Sequence, residues 1–255
     1  MLRNKFTGPG KPHGETDPDV LRVLEEGAAL VRLTELSRDP IEGAFDYDHM
    51  KAIHRHVFQD VYEWAGEERV APVGQFMNKD GHAYYPAGPA LSEAAHAEYA
   101  KIAAADFLHD LGPDEFVDEL AERWGEVNVI HSFREGNTRT QFAFFSQLAE
   151  QAGYEFDTAQ FAIGSPLREE FVQARFHGQD TGNNDRLAAV LRQVVVPLDR
   201  SGDDLAVDHD LVKSVRKSRE AAGYLKFGTQ PPVGPPQERA ARRSGPSRQS
   251  EGYER

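Results

Sequence analysis

A mainly α-helical fold with one small β-hairpin is what this chain of 255 residues predicts. Three observations carry the expectation. Apolar residues recur at helical spacing through most of the first 200 positions, the acidic clusters Asp17-Pro18-Asp19 and Asp46-Tyr47-Asp48 read as helix starts, and only residues 67–89 break the helical pattern. No internal repeat is visible.

The elements follow in chain order. Residues 1–16, rich in Gly, Pro and polar side chains, read as an extended arm. Asp17 caps a first helix with Pro18 in its first turn, and Leu21, Leu24, Ala28, Val31 and Leu33 form its expected apolar side. The second helix, from Asp46, carries Met50, Ile53, Val57 and Phe58 on one side. Residues 67–89 contain three Gly and three Pro, and two short extended runs around Asn78-Lys79-Asp80-Gly81 fit a hairpin, because Asp-Gly favours a tight turn. Residues 90–104 are Ala-rich and helical. Residues 114–130 form another helix, with Phe116, Leu120, Trp124, Val127 and Ile130 apolar, and it delivers His131 at its end. Phe142, Phe144, Phe145, Leu148 and Ala149 belong to a helix that stops at Gly153. Shorter helices are expected at 167–177 and 184–196, and a polar amphipathic one at about 203–224. The stretch from Gly228 to Arg255 has five Pro, many Arg and Ser and almost nothing apolar, so it reads as disordered. The expected organisation is an arm (1–16), a principal domain (17–200), a helical extension (201–227) and a tail (228–255).

Composition narrows the function. Hydrophobic content of 39% and charged content of 28% suit a globular protein. The absence of cysteine excludes disulfides and thiolate metal sites. No apolar run approaches the ~20 residues needed to span a bilayer, and the first residues lack the apolar core of a secretory signal, so the expected location is cytoplasmic. Net charge is −13, and the last 27 residues carry five Arg against three Glu, which leaves the preceding body near −15. Such a body repels a phosphate backbone and argues against bulk nucleic-acid binding, although a local cation cluster can still hold one nucleotide.

Residues 131–142, His-Ser-Phe-Arg-Glu-Gly-Asn-Thr-Arg-Thr-Gln-Phe, concentrate the chemistry. His131, at a helix end beside a loop, can take a proton from an incoming hydroxyl. Glu135 offers a hard oxygen, and Mg²⁺ is commonly held by one or two carboxylates plus substrate phosphates. Gly136 and Asn137 suit a turn whose amides, leading into a helix, form an anion cradle. Arg139 in the first turn adds a fork-shaped donor matched to phosphate oxygens. Phe133 reads as an anchor for the loop. The bland readings stand beside these: a His that packs or caps, and a Glu that satisfies a helix dipole. His49, His54 and His56 near Asp46, Asp48 and Asp60 read as surface or structural groups, because metal-ligand spacing is missing. Gly8-Pro9-Gly10-Lys11-Pro12 lacks the spacing and the Ser/Thr of a phosphate loop. Lys79 and His82 in the hairpin fit substrate contact and a solvated tip equally well.

The twelve residues resemble the signature of the Fic family, His-x-Phe-x-(Asp/Glu)-Gly-Asn-x-Arg-x-x-Arg, at every specified position except the last. Phe58–Glu67 resembles the family's stretch before its flap, Ile41–Asp46 resembles its opening helix-loop, and the likeness covers roughly 17–197. It implies a Fic-type helical bundle with a hairpin flap over the active site. It also implies transfer of AMP from ATP to a Ser, Thr or Tyr hydroxyl of a target protein. In that reading His131 is the base, Glu135 holds Mg²⁺, Phe133, Gly136, Asn137, Thr138 and Arg139 make up the nucleotide site, and the target docks on the flap at about 72–87. Three positions depart from the pattern: Ser132 for the usual Pro, Thr138 for a common Gly, and Phe142 for a second Arg that contacts the terminal phosphate. Ser132 implies little beyond a less rigid loop, whereas Thr138 and Phe142 imply weaker ATP binding, a different donor, or a nucleotide- or partner-binding protein without transfer. The family's inhibitory pattern, (Ser/Thr)-x-x-x-Glu-(Gly/Asn), is not intact. Glu26-Gly27 has Arg22 at the hydroxyl position, so any inhibitor is expected to be a separate small antitoxin. Delivery into another cell as an effector is a further expectation from the resemblance.

Overall fold

The computed structural model describes residues 2–79, 81–161 and 164–198; the expected helix at 203–224 and the tail lie outside them. Helix α1 (Pro18–Arg38) starts where the sequence places it, with the Asp17 carboxylate accepting from the Asp19 and Val20 N–H groups. Its buried face differs from the expected one. Glu25, Ala29, Leu33 and Leu36 are buried, whereas Leu24 is 38% and Val31 55% exposed. The buried stripe begins at a carboxylate and shares only Leu33 with the expected face, so hydrophobic spacing alone points to the neighbouring one. Helix α2 (Tyr47–Phe58) is capped by Asp46 through the His49 N–H at 2.8 Å, and buries Met50, Ile53, Val57 and Phe58 as expected.

The expected hairpin is present. Strands β1 (Met77–Lys79) and β2 (His82–Tyr84) pair antiparallel, with Lys79 opposite His82 and Met77 opposite Tyr84. Helices α3 (Pro89–Ala104), α4 (Pro113–Ile130) and α5 (Asn137–Gln151) follow, then β3 (Tyr154–Phe156), α6 (Pro166–Thr181), α7 (Asp185–Leu191) and β4 (Val195–Pro197). The helix expected over 184–196 therefore ends at Leu191. Val195 and Val196 pair instead with Phe156 and Glu155, a second two-stranded sheet that sequence reasoning missed. The β-branched run Val194-Val195-Val196 favours extended backbone, and it becomes a strand because β3 lies alongside.

Helix α4 packs against α3, α5, α6 and α7. At its centre the Trp124 ring lies 4.7 Å from Phe145, 4.9 Å from Phe142 and 5.4 Å from Phe171. This aromatic core fixes α5 against α4 and so sets where the loop between them, residues 131–136, must run. The N-terminal residues are tied to the same body: the Lys5 N–H donates to the Val61 carbonyl at 2.8 Å, and the Asn4 amide bridges to Glu15. Among the described residues no helix is long and apolar enough to cross a membrane.

Candidate active site

His131 ends α4 in the left-handed conformation (φ 50°, ψ 59°). A non-glycine residue there is strained, and that turn swings the imidazole off the helix axis toward the loop. The strain is held by Arg69. Its guanidinium donates to the carbonyls of His131 at 2.8 Å, Ile130 at 3.3 Å, Ala71 at 3.4 Å and Tyr85, while its own N–H donates to the Ser132 carbonyl at 2.9 Å. A cation on the last carbonyls of a helix satisfies both the orphan acceptors and the dipole. Arg69 thereby ties the loop after α4 to both legs of the flap. The His131 ring is buried against Tyr84, with centroids 4.4 Å apart. Burial pushes its pKa well below the usual imidazole value, and the nearby charges of Lys79, Arg175 and Arg69 push the same way. At neutral pH it is an uncharged base.

The loop is braced from behind. Phe133 is buried and stacks on His54 at 3.8 Å. The Gly66 N–H can only donate, so His54 accepts it on Nδ1 at 2.8 Å and donates from Nε2 to the Glu135 carbonyl at 3.0 Å. Burial lowers the His54 pKa to about 3, which keeps that tautomer neutral. Asn137 turns its side chain back on the loop, accepting from the Phe133 N–H at 2.8 Å and donating to its carbonyl at 2.6 Å. Gly136 is left-handed (φ 79°), and an added Cβ would meet the Phe58 ring at 2.3 Å, so this position requires glycine twice over. No side chain caps α5. Its first-turn amides, from Asn137 to Arg139, thus face the loop with the positive end of the helix dipole, an arrangement that favours an anion.

Glu135 sits at the rim, its side chain 35% exposed, with one oxygen accepting from the Gly136 N–H at 3.0 Å. Among the described residues no three acidic or histidine side chains gather to cage a metal. A lone rim carboxylate beside an anion cradle still fits Mg²⁺, which takes few protein ligands and completes its shell with phosphate oxygens and water. Arg139 is almost fully buried and is not open to the loop alone. Its Nη2 pairs with Glu25 of α1 and lies 3.9 Å from Glu135, and its plane covers the Phe58 ring at 4.7 Å. The Tyr62 hydroxyl also donates to Glu25.

Comparison with known proteins places the chain in a family. A model described as the Fic/DOC family matches residues 44–149. A probable protein adenylyltransferase of Sinorhizobium fredii is 36% identical over 155 residues, which cover 60% of this chain and 75% of that protein. The chain belongs to the Fic/DOC family. The protein adenylyltransferase VbhT of Bartonella schoenbuchensis is 33% identical over 203 residues, 74% of this chain, and the chain spans only 40% of that relative's length. The BepC effector of Bartonella tribocorum, solved with bound AMPPNP, shares the fold with a TM-score of 0.67 over 77% of this chain and 93% of that one, at 21% identity. VbhT and the Sinorhizobium protein are by name adenylyltransferases.

Within the Fic frame, the sequence-assigned residues His131, Glu135, Gly136, Asn137, Thr138 and Arg139 converge on one loop and helix start, with Phe133 beneath them. Phe142 is different. It is fully buried among Trp124, Phe156, Phe161 and Phe171, with centroids 4.9–5.7 Å apart, and belongs to the core. His82 docks on α6, stacked on Phe176 at 3.9 Å and bonded to Asp180 at 2.9 Å, so it braces the flap. His49 and His56 spend a ring nitrogen on the Ile41 and Arg32 carbonyls. Sequence reasoning missed Arg69, Tyr62 and Glu25. It weighed Glu26, which points outward to Arg22 at 3.4 Å, whereas Glu25 turns inward. The signal for Glu25 was a carboxylate on the helical register of Ala29, Leu33 and Leu36.

Proposed function

We propose that this Fic protein transfers AMP from ATP to a side-chain hydroxyl of a target protein. The observation that carries the reading is His131, a buried neutral base, held in a strained turn directly before an uncapped helix N-terminus that follows Glu135. The names of the relatives, and the AMPPNP bound by BepC, support ATP as the donor. His131 takes the hydroxyl proton as the oxygen attacks the α-phosphorus. The new P–O bond forms in line with the bridging P–O bond that breaks, and pyrophosphate leaves with that electron pair. The amides of α5 hold the phosphates, Glu135 would hold Mg²⁺ against them, and a bound Mg²⁺ supplies charge neutralisation. Positioning and fixed charge provide most of the acceleration.

The flap suits a target segment. On β2 the outer Ala83 carbonyl is taken by Gln179 of α6 at 2.6 Å. On β1 the outer edge at Asn78 has no neighbouring strand among the described residues, and Val73 and Phe76 are exposed beside it. An extended peptide adding to that edge places its hydroxyl near His131. We place the protein in the cytoplasm of its own cell or of a recipient cell, with a small antitoxin as a further partner. Incubation with Mg²⁺, α-labelled ATP and lysate is expected to label a protein band, and His131→Ala to reduce it by about 10²–10⁴-fold. Equal labelling by the variant removes the proposal.

A second reading has its own observation. Thr138 sets a β-branched side chain in the first turn of α5, and Glu25 already pairs with Arg139. Nucleotide binding without AMP transfer, or transfer from another nucleotide, is the outcome these favour. A panel of α-labelled ATP, GTP, UTP and CTP separates the two.

A further inference from the structure

We infer that Arg175, on α6, is a phosphate-binding residue of this site and supplies the guanidinium that position 142 does not. The inference rests on the nucleotide-binding half of the reading above and not on the transfer step.

Arg139, the motif arginine, faces Glu25 directly and Glu135 at 3.9 Å, so its charge is already met. Arg175 has no carboxylate partner among the described residues. Its Nε, at 3.1 Å, and its Nη2 both donate to the Asn128 Oδ1; its Nη1 lies 3.4 Å from the Thr138 hydroxyl; its plane covers Phe171 at 5.3 Å. All three partners are neutral. Burial lowers its pKa to about 10, so it remains a cation at neutral pH. A poorly solvated guanidinium without a counter-ion is costly unless an anion arrives.

Its place is where that anion is expected. Thr138 lies in the first turn of α5, and the helix dipole and the guanidinium converge on the same space. His131 feels the Arg175 charge, and Asn128 stands three residues before His131 on α4. Asn128 is itself oriented by the Gln179 side chain at 3.5 Å. An arginine serving only to pack α6 on α4 gains more from Asp than from Asn at position 128. Asn orients the fork and leaves its charge unspent. Of the five guanidinium N–H groups, about two remain for phosphate oxygens once these contacts are made.

The test is calorimetric titration of the full chain with AMP, ADP and AMPPNP in Mg²⁺, and with inorganic tripolyphosphate. Arg175→Gln is expected to weaken AMPPNP and tripolyphosphate at least tenfold and to flatten the gain in affinity from AMP to AMPPNP, with Arg175→Lys recovering part of it. Asn128→Asp keeps the acceptor on the fork and neutralises it, giving up only the 3.5 Å bond to Gln179; it is expected to match the Gln variant in binding while retaining a thermal midpoint close to the wild type, an outcome a merely structural arginine does not give. Unchanged or tighter AMPPNP binding in both variants overturns the inference, as does a wild type that binds neither AMPPNP nor tripolyphosphate. Arg175-dependent binding without AMP transfer upholds it and sinks the transfer reading. AMP transfer with the same KM for ATP in both variants does the reverse.

Discussion

The Glu25–Arg139 pair shows how one inward carboxylate changes what a motif residue can do. Arg139 is fork-shaped and stands in the first turn of α5, but in the folded chain its charge is shared with Glu25, whose other oxygen accepts from Tyr62. In the proposed nucleotide site, phosphate oxygens compete with that carboxylate for the guanidinium. Glu25→Gln is therefore expected to tighten AMPPNP binding while lowering stability, since a buried cation that loses its partner costs about 3–5 kcal/mol. Calorimetry and thermal unfolding on the same preparation check both arms; an unchanged affinity shows that Arg139 does not meet the phosphates. Arg69 acts at the same scale. Arg69→Leu strands several carbonyls, each costing about 1–3 kcal/mol when buried without a donor. Faster amide hydrogen exchange at Tyr85 and Ala87, measured beside the wild type, is the expected sign that the flap has come loose from the His131 turn.

At the scale of elements, α5 has two jobs that its sequence keeps apart. Its first turn presents amides to the site, and its later turns carry Phe142, Phe144, Phe145 and Leu148 into the core. The Fic pattern expects a guanidinium at position 142. Here the ring is wedged among Trp124, Phe156, Phe161 and Phe171, so restoring Arg at that position does not restore a phosphate contact. Phe142→Ala is expected to cost about 3–5 kcal/mol in chemical denaturation, and Phe142→Arg at least as much, because the cation enters a site without a partner. A Phe142→Arg variant as stable as wild type and more active with ATP refutes this account of the core. For the flap, the Ala83 carbonyl faces outward to Gln179, so its register partner Asn78 turns its own N–H to the outer side of β1. Asn78→Pro removes that donor and leaves the hairpin bonds intact. Labelling of a protein target is expected to fall while AMPPNP affinity holds; labelling at the wild-type level rules out pairing on this edge.

At the scale of the whole molecule, acid sensitivity follows from buried imidazoles. His49, His54 and His131 all titrate below the usual 6.5 because burial penalises their charged forms. Below pH 6.5 the unfolded chain takes up protons that the folded chain refuses, so stability falls as pH drops, over a window that reaches down to about 3 for His54. The lowered carboxylates, Glu15 at about 2 with Asp48 and Asp60, add their losses only at more acid pH. The thermal midpoint is expected to decline already between pH 7 and 5, where ordinary carboxylates do not yet titrate. A flat profile there contradicts the assignment. The same neutral His131 is expected to keep the transfer rate level with pH to below 6.5.

Local sequence encodes the parts. The caps at Asp17 and Asp46, the hairpin at Asp80-Gly81, the α4 and α5 patterns and the run from His131 to Arg139 are encoded within a few residues of one another, where spacing and backbone preference suffice. Tertiary structure decided which charges are spent and which remain. Glu25 meets Arg139 across 114 positions, Arg69 reaches Ile130 across 61, and Arg175 reaches Asn128 across 47. Val195 became a strand rather than a helix end because β3 was there to pair with it. Helical and turn preferences act over one or two turns of chain, whereas the partner of a buried charge is set by the packing of whole helices, which no local spacing records.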